Sequence, residues 1–334
     1  MASILTLPRP EIAIDFGTAN MRVIRRGEGI VMEEPSLCCF SRRDGVMDLV
    51  AVGAEAHAMI DRTPADLAVR RPLCRGVLQD IDAAKSVLRY ALSRTVRSKR
   101  LRAPRALIGV PADATQAERC AMLTAANDAG FGSVGLVDEP LAAAIGAGLA
   151  VAEPGGSMVI ECGAGTTEVA VFSLGGICAA GSVRIGGATL DKAIADQLHL
   201  HHKFLIGEIT AEKLKLDYVA RRQSAERDRS DMITVRGRCL RQGLPKSLGI
   251  STTEMDQVVE KHVEQIVRVV REVLGRTAPE LSQDIFDHGV ALTGGGALMP
   301  MMQSMIEDAT GLRVKPAADP ANCVAQGLHT ILDA

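Results

Sequence analysis

Residues 157–172 read SMVIECGAGTTEVAVF, and this stretch decides the fold. An apolar run, Ser157 to Glu161, ends on an acid. A turn of Gly163, Ala164, Gly165, Thr166 and Thr167 follows, and the chain resumes as the apolar run Glu168 to Phe172. Strand, glycine-rich turn, strand is a β-hairpin with a carboxylate at its mouth. The same order stands near the start of the chain, where EIAID at 11–15 leads through Phe16, Gly17, Thr18, Ala19 and Asn20 into MRVIR at 21–25. An acid-x-glycine hairpin that occurs twice predicts two related α/β halves. Either hairpin taken alone also reads as a plain turn.

Outward from the hairpins, ALIGV at 106–110 predicts a strand stopped by Pro111, and Ala117 to Ala129 a helix ended by Gly130. A short strand at 134–137 runs into Asp138-Glu139-Pro140, and the alanine-rich 141–149 is helical in composition. Ile185-Gly186-Gly187 precedes an amphipathic helix from Thr189 to His201. The charge-dense 217–231 predicts an exposed segment in a smaller subdomain, and 233–246 holds strand-like pieces. A helix over 253–275 carries Val258, Val259, Val263, Ile266, Val267, Val270 and Leu274 on one face. GVALT at 289–293 predicts a buried strand ending in Gly294-Gly295-Gly296.

The turns carry a chemistry. A nucleotide's phosphates need converging backbone N–H groups, and glycine lets the chain turn that tightly. Hydroxyls and a divalent cation relieve the remaining charge. Two such hairpins facing each other would clamp a triphosphate, with Asp15 and Glu161 on the cation side. The triple glycine after a strand suits close approach to a sugar or base. There is no Walker A sequence, and no GxGxxG opens a helix, which weighs against P-loop and Rossmann folds.

Composition bounds the rest. The 334 residues suffice for two to three domain-sized units, and 47% hydrophobic residues allow a large core. With 2% aromatics and no Trp, that core is built from Ala, Val, Leu, Ile and Met. A formal net charge of −2 gives no global attraction to nucleic acid, and none is expected as a partner. The eight cysteines (38, 39, 74, 120, 162, 178, 239 and 323) form no CxxC pair and no zinc spacing, as scattered thiols in a reducing compartment do. No secretory signal is visible, and no run reaches the roughly 18 apolar residues of a membrane span. These features predict a cytoplasmic protein.

The order of motifs resembles the superfamily of actin, sugar kinases and DnaK-type chaperone ATPases, and within it most closely the MreB-type bacterial actins. The resemblance is carried by IAIDFGTANMRV at 12–23, GIVMEEPS at 29–36, RRPLCRGVLQDID at 70–82, GVPADATQAERCA at 109–121 and LVDEPLAAAIGAGL at 136–149. It continues through GSMVIECGAGTTEVAVFSLGG at 156–176, SVRIGGATLD at 182–191, LIGEITAEKLK at 205–215, VRGRCLRQGLP at 235–245, VALTGGGALM at 290–299 and DPANCVAQG at 319–327.

The resemblance implies the duplicated actin-like ATPase fold: two α/β domains, each with a smaller subdomain, and the nucleotide in the central cleft. It divides the chain into residues 1–145 with 315–334 returning, carrying a subdomain at about 33–65, and residues 146–314, carrying one at about 182–246. ATP or ADP with Mg2+ is the implied ligand, and a weak ATPase the implied activity. Asp15 and Glu161 take the metal side. Gly17, Thr18, Ala19 and Asn20 form the first phosphate turn, and Gly163, Ala164, Gly165, Thr166 and Thr167 the second. Glu139 positions or polarises the attacking water, with Thr167 as its partner. Glu212 and Lys215 line the nucleoside, and Gly294, Gly295, Gly296 and Ala297 the adenosine. Read from the residues alone, Glu139 is also a helix-start acid, and Glu212 and Lys215 an ordinary surface pair three apart.

Four positions depart from the family pattern, the mildest being Ala164, a middle position at which relatives vary. Glu161 stands where the family usually has Asp, and Mg2+ demands tight octahedral geometry, so retained nucleotide binding with slow turnover is expected. Cys162 replaces a small or apolar residue and is inert if buried. Gln326 stands where MreB commonly has Arg.

The resemblance further implies self-assembly into protofilaments and work with membrane-bound shape and wall-synthesis proteins at the inner face of the cytoplasmic membrane. RTVRSKRLRAPR at 94–105 offers Arg97, Lys99, Arg100 and Arg102 to anionic lipid, with Val96 and Leu101 interleaved. A solvated basic loop is the plain alternative. Pro8 and Pro10 limit the apolar N-terminus as an anchor. Other functions stay open at this level: a specialised filament for organelle or plasmid positioning, or a non-polymerising chaperone-like ATPase. The chaperone type expects a peptide-binding domain beyond the core, and a sugar kinase needs a sugar pocket for which no segment stands out.

Overall fold

The structure is a computed structural model and describes residues 10–43, 46–95, 103–224 and 231–334. Its centre is two five-stranded sheets built to one plan. The first has the order Ser133–Asp138, Arg105–Val110, Ile12–Phe16, Asn20–Arg25 and Gly29–Pro35. The second has the order Val314–Pro316, Val290–Thr293, Ser157–Cys162, Thr167–Ser173 and Gly176–Val183. In each sheet the hairpin's first strand pairs antiparallel with its second and parallel with the strand on its other side. The repeat seen in the sequence is thus a repeat of topology, and the mixed α/β fold expected from it is the one found.

Register makes the two hairpins comparable residue by residue. Asp15 lies opposite Arg22 in the first, and Glu161 opposite Glu168 in the second. Each half has its own core. One is built on Ile12, Ile14, Val23, Val87, Leu88 and Ile108, the other on Met158, Ile160, Val171, Val259, Val263 and Val270. A third cluster joins both sheets: Ala13 and Ile24 from the first, Val159, Ala170 and Phe172 from the second. The helices Glu139–Gly146 and Cys323–Asp333 fill it with Ala142, Ala143, Ala325 and Leu328. These two helices cross at glycine: a Cβ on Gly327 would lie 1.8 Å from the Ala142 carbonyl oxygen, and one on Gly146 1.9 Å from that of Cys323.

Local chemistry explains the helix limits. Thr115 and Glu118 form a capping box at the start of Gln116–Ala129, and Gly130 ends that helix at φ 110°. Ser251 caps Thr252–Leu274 by accepting from the Glu254 N–H. That helix buries Val258, Val259, Val263, Ile266 and Val270 as its periodicity predicts, while Val267 and Leu274 are half-buried and Val269 and Val273 join the core.

Three expectations need correction. The alanine-rich helix begins at Glu139 and stops at Gly146, because Gly148 adopts φ +77° and turns the chain away. The charge-dense stretch begins inside a helix, Glu208–Gln223, on which Asp217, Ala220, Arg222 and Gln223 are exposed as expected but Tyr218 is fully buried, its hydroxyl donating to Asp256 at 2.7 Å; residues 225–230 of the stretch lie outside the described residues. The strand-like pieces are a hairpin, Met232–Cys239 with Pro245–Ser251, which reaches beyond 246. Among the described residues three smaller sheets complete the fold: Val46–Val52 with Cys38–Arg43 and Leu67–Arg70, Phe204–Leu205 with that hairpin, and Leu73–Cys74 with Val77–Leu78. The basic loop with Arg97, Lys99, Arg100 and Arg102 lies outside the described residues, as do residues 1–9. Among the described residues no helix is long and apolar enough to cross a membrane.

Candidate functional site

The mouths of the two hairpins open into one cavity of about 370 Å3. Asp15, Gly17, Thr18, Ala19 and Asn20 line it from the first half, and Glu161, Gly163, Ala164, Gly165 and Thr166 from the second. Glu139 stands on its wall, as do Glu212, Lys215 and Gly294, Gly295 and Gly296. Two predicted residues do not line it. Thr167 is fully buried, and its hydroxyl donates to the Ile185 carbonyl at 2.9 Å. Ala297 packs into the core of the second half.

Backbone contacts explain why these turns need glycine. A Cβ on Gly165 would lie 2.3 Å from Thr18 Oγ1, so the two turns touch at that point. Gly294 adopts φ +78°, and a Cβ there would lie 2.3 Å from the Cys162 carbonyl oxygen. The second turn is closed by the Gly163 N–H on the Thr166 carbonyl at 2.9 Å. It also receives the helix Gly187–His202, whose Gly187 and Ala188 N–H groups donate to the carbonyls of Gly163 and Ala164.

The charges are unevenly met. Asp15 Oδ2 pairs with Arg22 Nη1 at 3.1 Å, and Arg22 Nη2 reaches Glu33 at 2.8 Å. Burial still holds the Asp15 carboxyl above its ordinary range, against the pull of Arg22. Glu161 has no such partner in register. Burial raises its carboxyl well above the usual range, and the charges of Glu168 and Asp15 push the same way. Glu139 is raised likewise by burial, then by the charge of Glu168. Glu168 itself is pushed up to about 8, chiefly by burial. Lys215 pairs with Asp191 at 2.8 Å and also donates to the Gly187 carbonyl at 3.3 Å.

A cavity with acids short of positive charge suits a cation that arrives with phosphate. Among the described residues no group of three or more His, Cys, Asp or Glu is placed to hold a metal by itself. Two carboxylates, with the rest of the shell from phosphate oxygens and water, is the usual protein share for Mg2+. Asp15 and Glu161 fit that share.

Sequence reasoning missed several residues here. Arg22 and Glu168 are the register partners of the two acids, and aligning the hairpins with each other would have found both. Gly76 donates its N–H to Thr18 Oγ1 at 3.2 Å, and a Cβ on it would meet Thr166 Cγ2 at 2.5 Å. Its φ of +73° marks the turn between Leu73–Cys74 and Val77–Leu78, which wedges between the two hairpins. Leu216 and Leu298 give the cavity an apolar flank. Of the departures, Cys162 is buried at 1% exposure with its thiol held above the ordinary range by burial, and Gln326 donates to Asp319 at 3.1 Å.

Comparison with known proteins agrees with this geometry. The family described as MreB/Mbl protein matches residues 9–334. The cell shape-determining protein MreB of Escherichia coli K12 is 40% identical over 320 residues, covering 95% of this chain and 91% of that protein. The crystal structure of MreB5 of Spiroplasma citri bound to AMPPNP superposes with a TM-score of 0.88 at 32% identity, over 97% of this chain and 96% of that one. The MamK double helical filament, at 19% identity, 97% and 99% coverage and a TM-score of 0.78, shares the fold.

Proposed function

The chain belongs to the MreB/Mbl family, and we propose that it binds ATP with Mg2+ between its two hairpins, hydrolyses it slowly, and assembles into cytoskeletal filaments that act in cell shape. One observation carries this reading: both hairpin turns and the Gly294–Gly296 turn converge on a single cavity with Glu139 on its wall. The AMPPNP-bound relative covers nearly the whole chain and supports the same ligand here.

Each residue has a part. The backbone N–H groups of Gly17 to Asn20 and Ala164 to Thr166 face the phosphates, Gly163 closes the second turn on the Thr166 carbonyl, and Thr18 and Thr166 add hydroxyls. Asp15 and Glu161 hold the metal, which when bound neutralises phosphate charge. Glu139 orients the attacking water, and Thr167 holds the second hairpin to Ile185 behind it. Glu212 and Lys215 face the nucleoside, with Lys215 fixed by Asp191. Gly294 to Gly296 let the chain come close to the adenosine, with Ala297 packed behind them. We assign residues 1–145 with 315–334 to one domain, with a subdomain at about 33–65, and residues 146–314 to the other, with a subdomain at about 182–246. The basic loop at 97–102 is the proposed contact with anionic lipid, which puts the filament at the inner membrane beside wall-synthesis proteins.

Sedimentation with and without ATP and Mg2+, followed by electron microscopy of the pellet, tests the assembly. Filaments that form with nucleotide support it; monomers throughout, with phosphate release intact, overturn it. Adding anionic liposomes tests the loop, which is excluded if removing Arg97, Lys99, Arg100 and Arg102 leaves membrane binding unchanged.

A further inference from the structure

We propose that Glu168 is a positioning residue: by holding the 111–114 loop of the first half against the second hairpin, it fixes Glu139 relative to the Thr166 turn. The inference rests on the reading of the cavity as an ATP-hydrolysing site.

Glu168 is 2% exposed in the strand Thr167–Ser173. Its Oε1 accepts the Ala112 N–H at 2.9 Å, from across the junction of the halves. Its Oε2 is buried with no hydrogen-bond partner. A half-satisfied buried carboxylate is costly, and the strand itself does not require one, since Val169 to Phe172 bury apolar side chains. What Glu168 adds is the contact through Oε1.

From Ala112 the contacts lead to the catalytic side. Arg119 gathers the loop by donating to the carbonyls of Ala112 at 3.3 Å and Ala114 at 3.2 Å. The same guanidinium pairs with Asp138 at 2.7 Å. Asp138 directly precedes Glu139. The Glu139 side chain also lies against the strand that feeds the loop, since a Cβ on Gly109 would be 3.3 Å from its Cγ. A second stitch runs beside the first, from Ser182 Oγ to Asp113. The two ends of this chain of contacts are the residue after Thr167 and the residue before Glu139. A general base displaced by about 1 Å can lose on the order of a hundredfold in rate, so such a strut bears on turnover more than on binding.

The test compares Glu168→Ala with Glu168→Gln in the full chain. Gln keeps an oxygen for the Ala112 N–H, whereas Ala does not. Glu168→Ala is expected to lower kcat for phosphate release about tenfold with KM for ATP within about twofold, and Glu168→Gln to stay within about twofold of the parent in both. Hydrogen exchange at the Ala112 amide should speed up in Glu168→Ala and stay slow in Glu168→Gln. Arg119→Met breaks the next link and should reproduce the loss of kcat, which keeps the test alive if Glu168→Ala does not fold. A parental kcat in Glu168→Ala or in Arg119→Met overturns the proposal. So does a Glu168→Gln as slow as Glu168→Ala, because the carboxylate's charge would then matter rather than its hydrogen bond. Fluorescent-nucleotide binding by the parent separates the two readings: no binding overturns the nucleotide site itself, while binding with kcat unmoved by these variants overturns only the strut.

Discussion

Glu161 stands opposite Glu168 in the second hairpin, at the place where Asp15 stands opposite Arg22 in the first. One acid thus faces a cation and the other a second acid. Burial raises Glu161 and Glu139 above the usual carboxylate range and pushes Glu168 up to about 8. The unfolded chain would release these protons near the ordinary 4.5. The contribution of Glu168 to stability is therefore complete below that value and lost as pH rises through about 8, and Glu161 and Glu139, raised in the same direction, lose theirs with the same sign as pH rises. Buried His262 acts at lower pH. It is held down to about 4 from an ordinary 6.5, so its contribution is lost as pH falls through that interval. Above 6.5 the acids act without it. Between that pH and about 8.5 the thermal midpoint without nucleotide should fall, and Mg2+ with ATP should reduce the fall by supplying positive charge. Calorimetry across this range checks it, and a midpoint flat in both conditions contradicts it.

The length of Glu161 carries a second prediction. A Cβ on Gly294 would lie 2.8 Å from Glu161 Oε1, so the longer side chain reaches against the adenosine-side turn. Glu161→Asp draws the carboxylate back toward its own strand and is expected to raise the rate of phosphate release by about tenfold, a barrier change of roughly 1.4 kcal/mol. Nucleotide affinity should change less. A variant that releases phosphate no faster than the parent refutes the link between Glu161 and slow turnover.

Much of this site was legible because glycine is required where backbones nearly touch. Gly17, Gly165 and Gly294 show in the sequence for that reason, and so do the acids that end the two strands. The valine face of Thr252–Leu274 shows because its repeat matches the helix. Arg22 and Glu168 were hidden, since a charged residue in a strand reads as a solvent-facing position until register sets it against an acid. Thr167 misled in the opposite sense: a hydroxyl in a phosphate turn looks like a ligand, but here it serves the Ile185 carbonyl. The strand Gly29–Pro35 gave little signal because half-buried and exposed residues follow one another in it without clean alternation.

A third prediction concerns the mouth of the cleft. Asp61 Oδ2 accepts the Glu208 N–H at 3.1 Å, capping from the turn between Ala54–His57 and Leu67–Arg70 the helix that carries Glu212 and Lys215. Arg71 pairs with Glu208, and Ile209 packs on the cluster of Leu37, Cys39, Ala51, Ala56 and Ile60. Losing such a cap costs about 1 kcal/mol. Asp61→Ala should therefore speed ADP release about fivefold with little change in the thermal midpoint. Stopped-flow displacement of a fluorescent ADP measures it, and an unchanged off-rate would show that this contact does not govern exchange.

The crossing of Glu139–Gly146 with Cys323–Asp333 carries the last prediction. A methyl group on Gly327 would sit 1.8 Å from the Ala142 carbonyl oxygen. Ordinary contact is near 3.4 Å or more, so the helices would have to separate by more than an ångström. Because Ala142, Ala143, Val324 and Leu328 belong to the cluster joining both sheets, that separation loosens the junction between the halves. Gly327→Ala is expected to destabilise the protein by roughly 3 kcal/mol, at the upper end of overpacking costs. Gly176→Ala is the control, since its nearest neighbour, the Ser173 carbonyl oxygen, is 3.8 Å away. Denaturant unfolding of the two variants measures the difference. Because Glu139 begins one of the crossing helices, Gly327→Ala should also lower phosphate release at temperatures where the chain is still folded. Parental stability in Gly327→Ala would mean that the helices do not meet this closely.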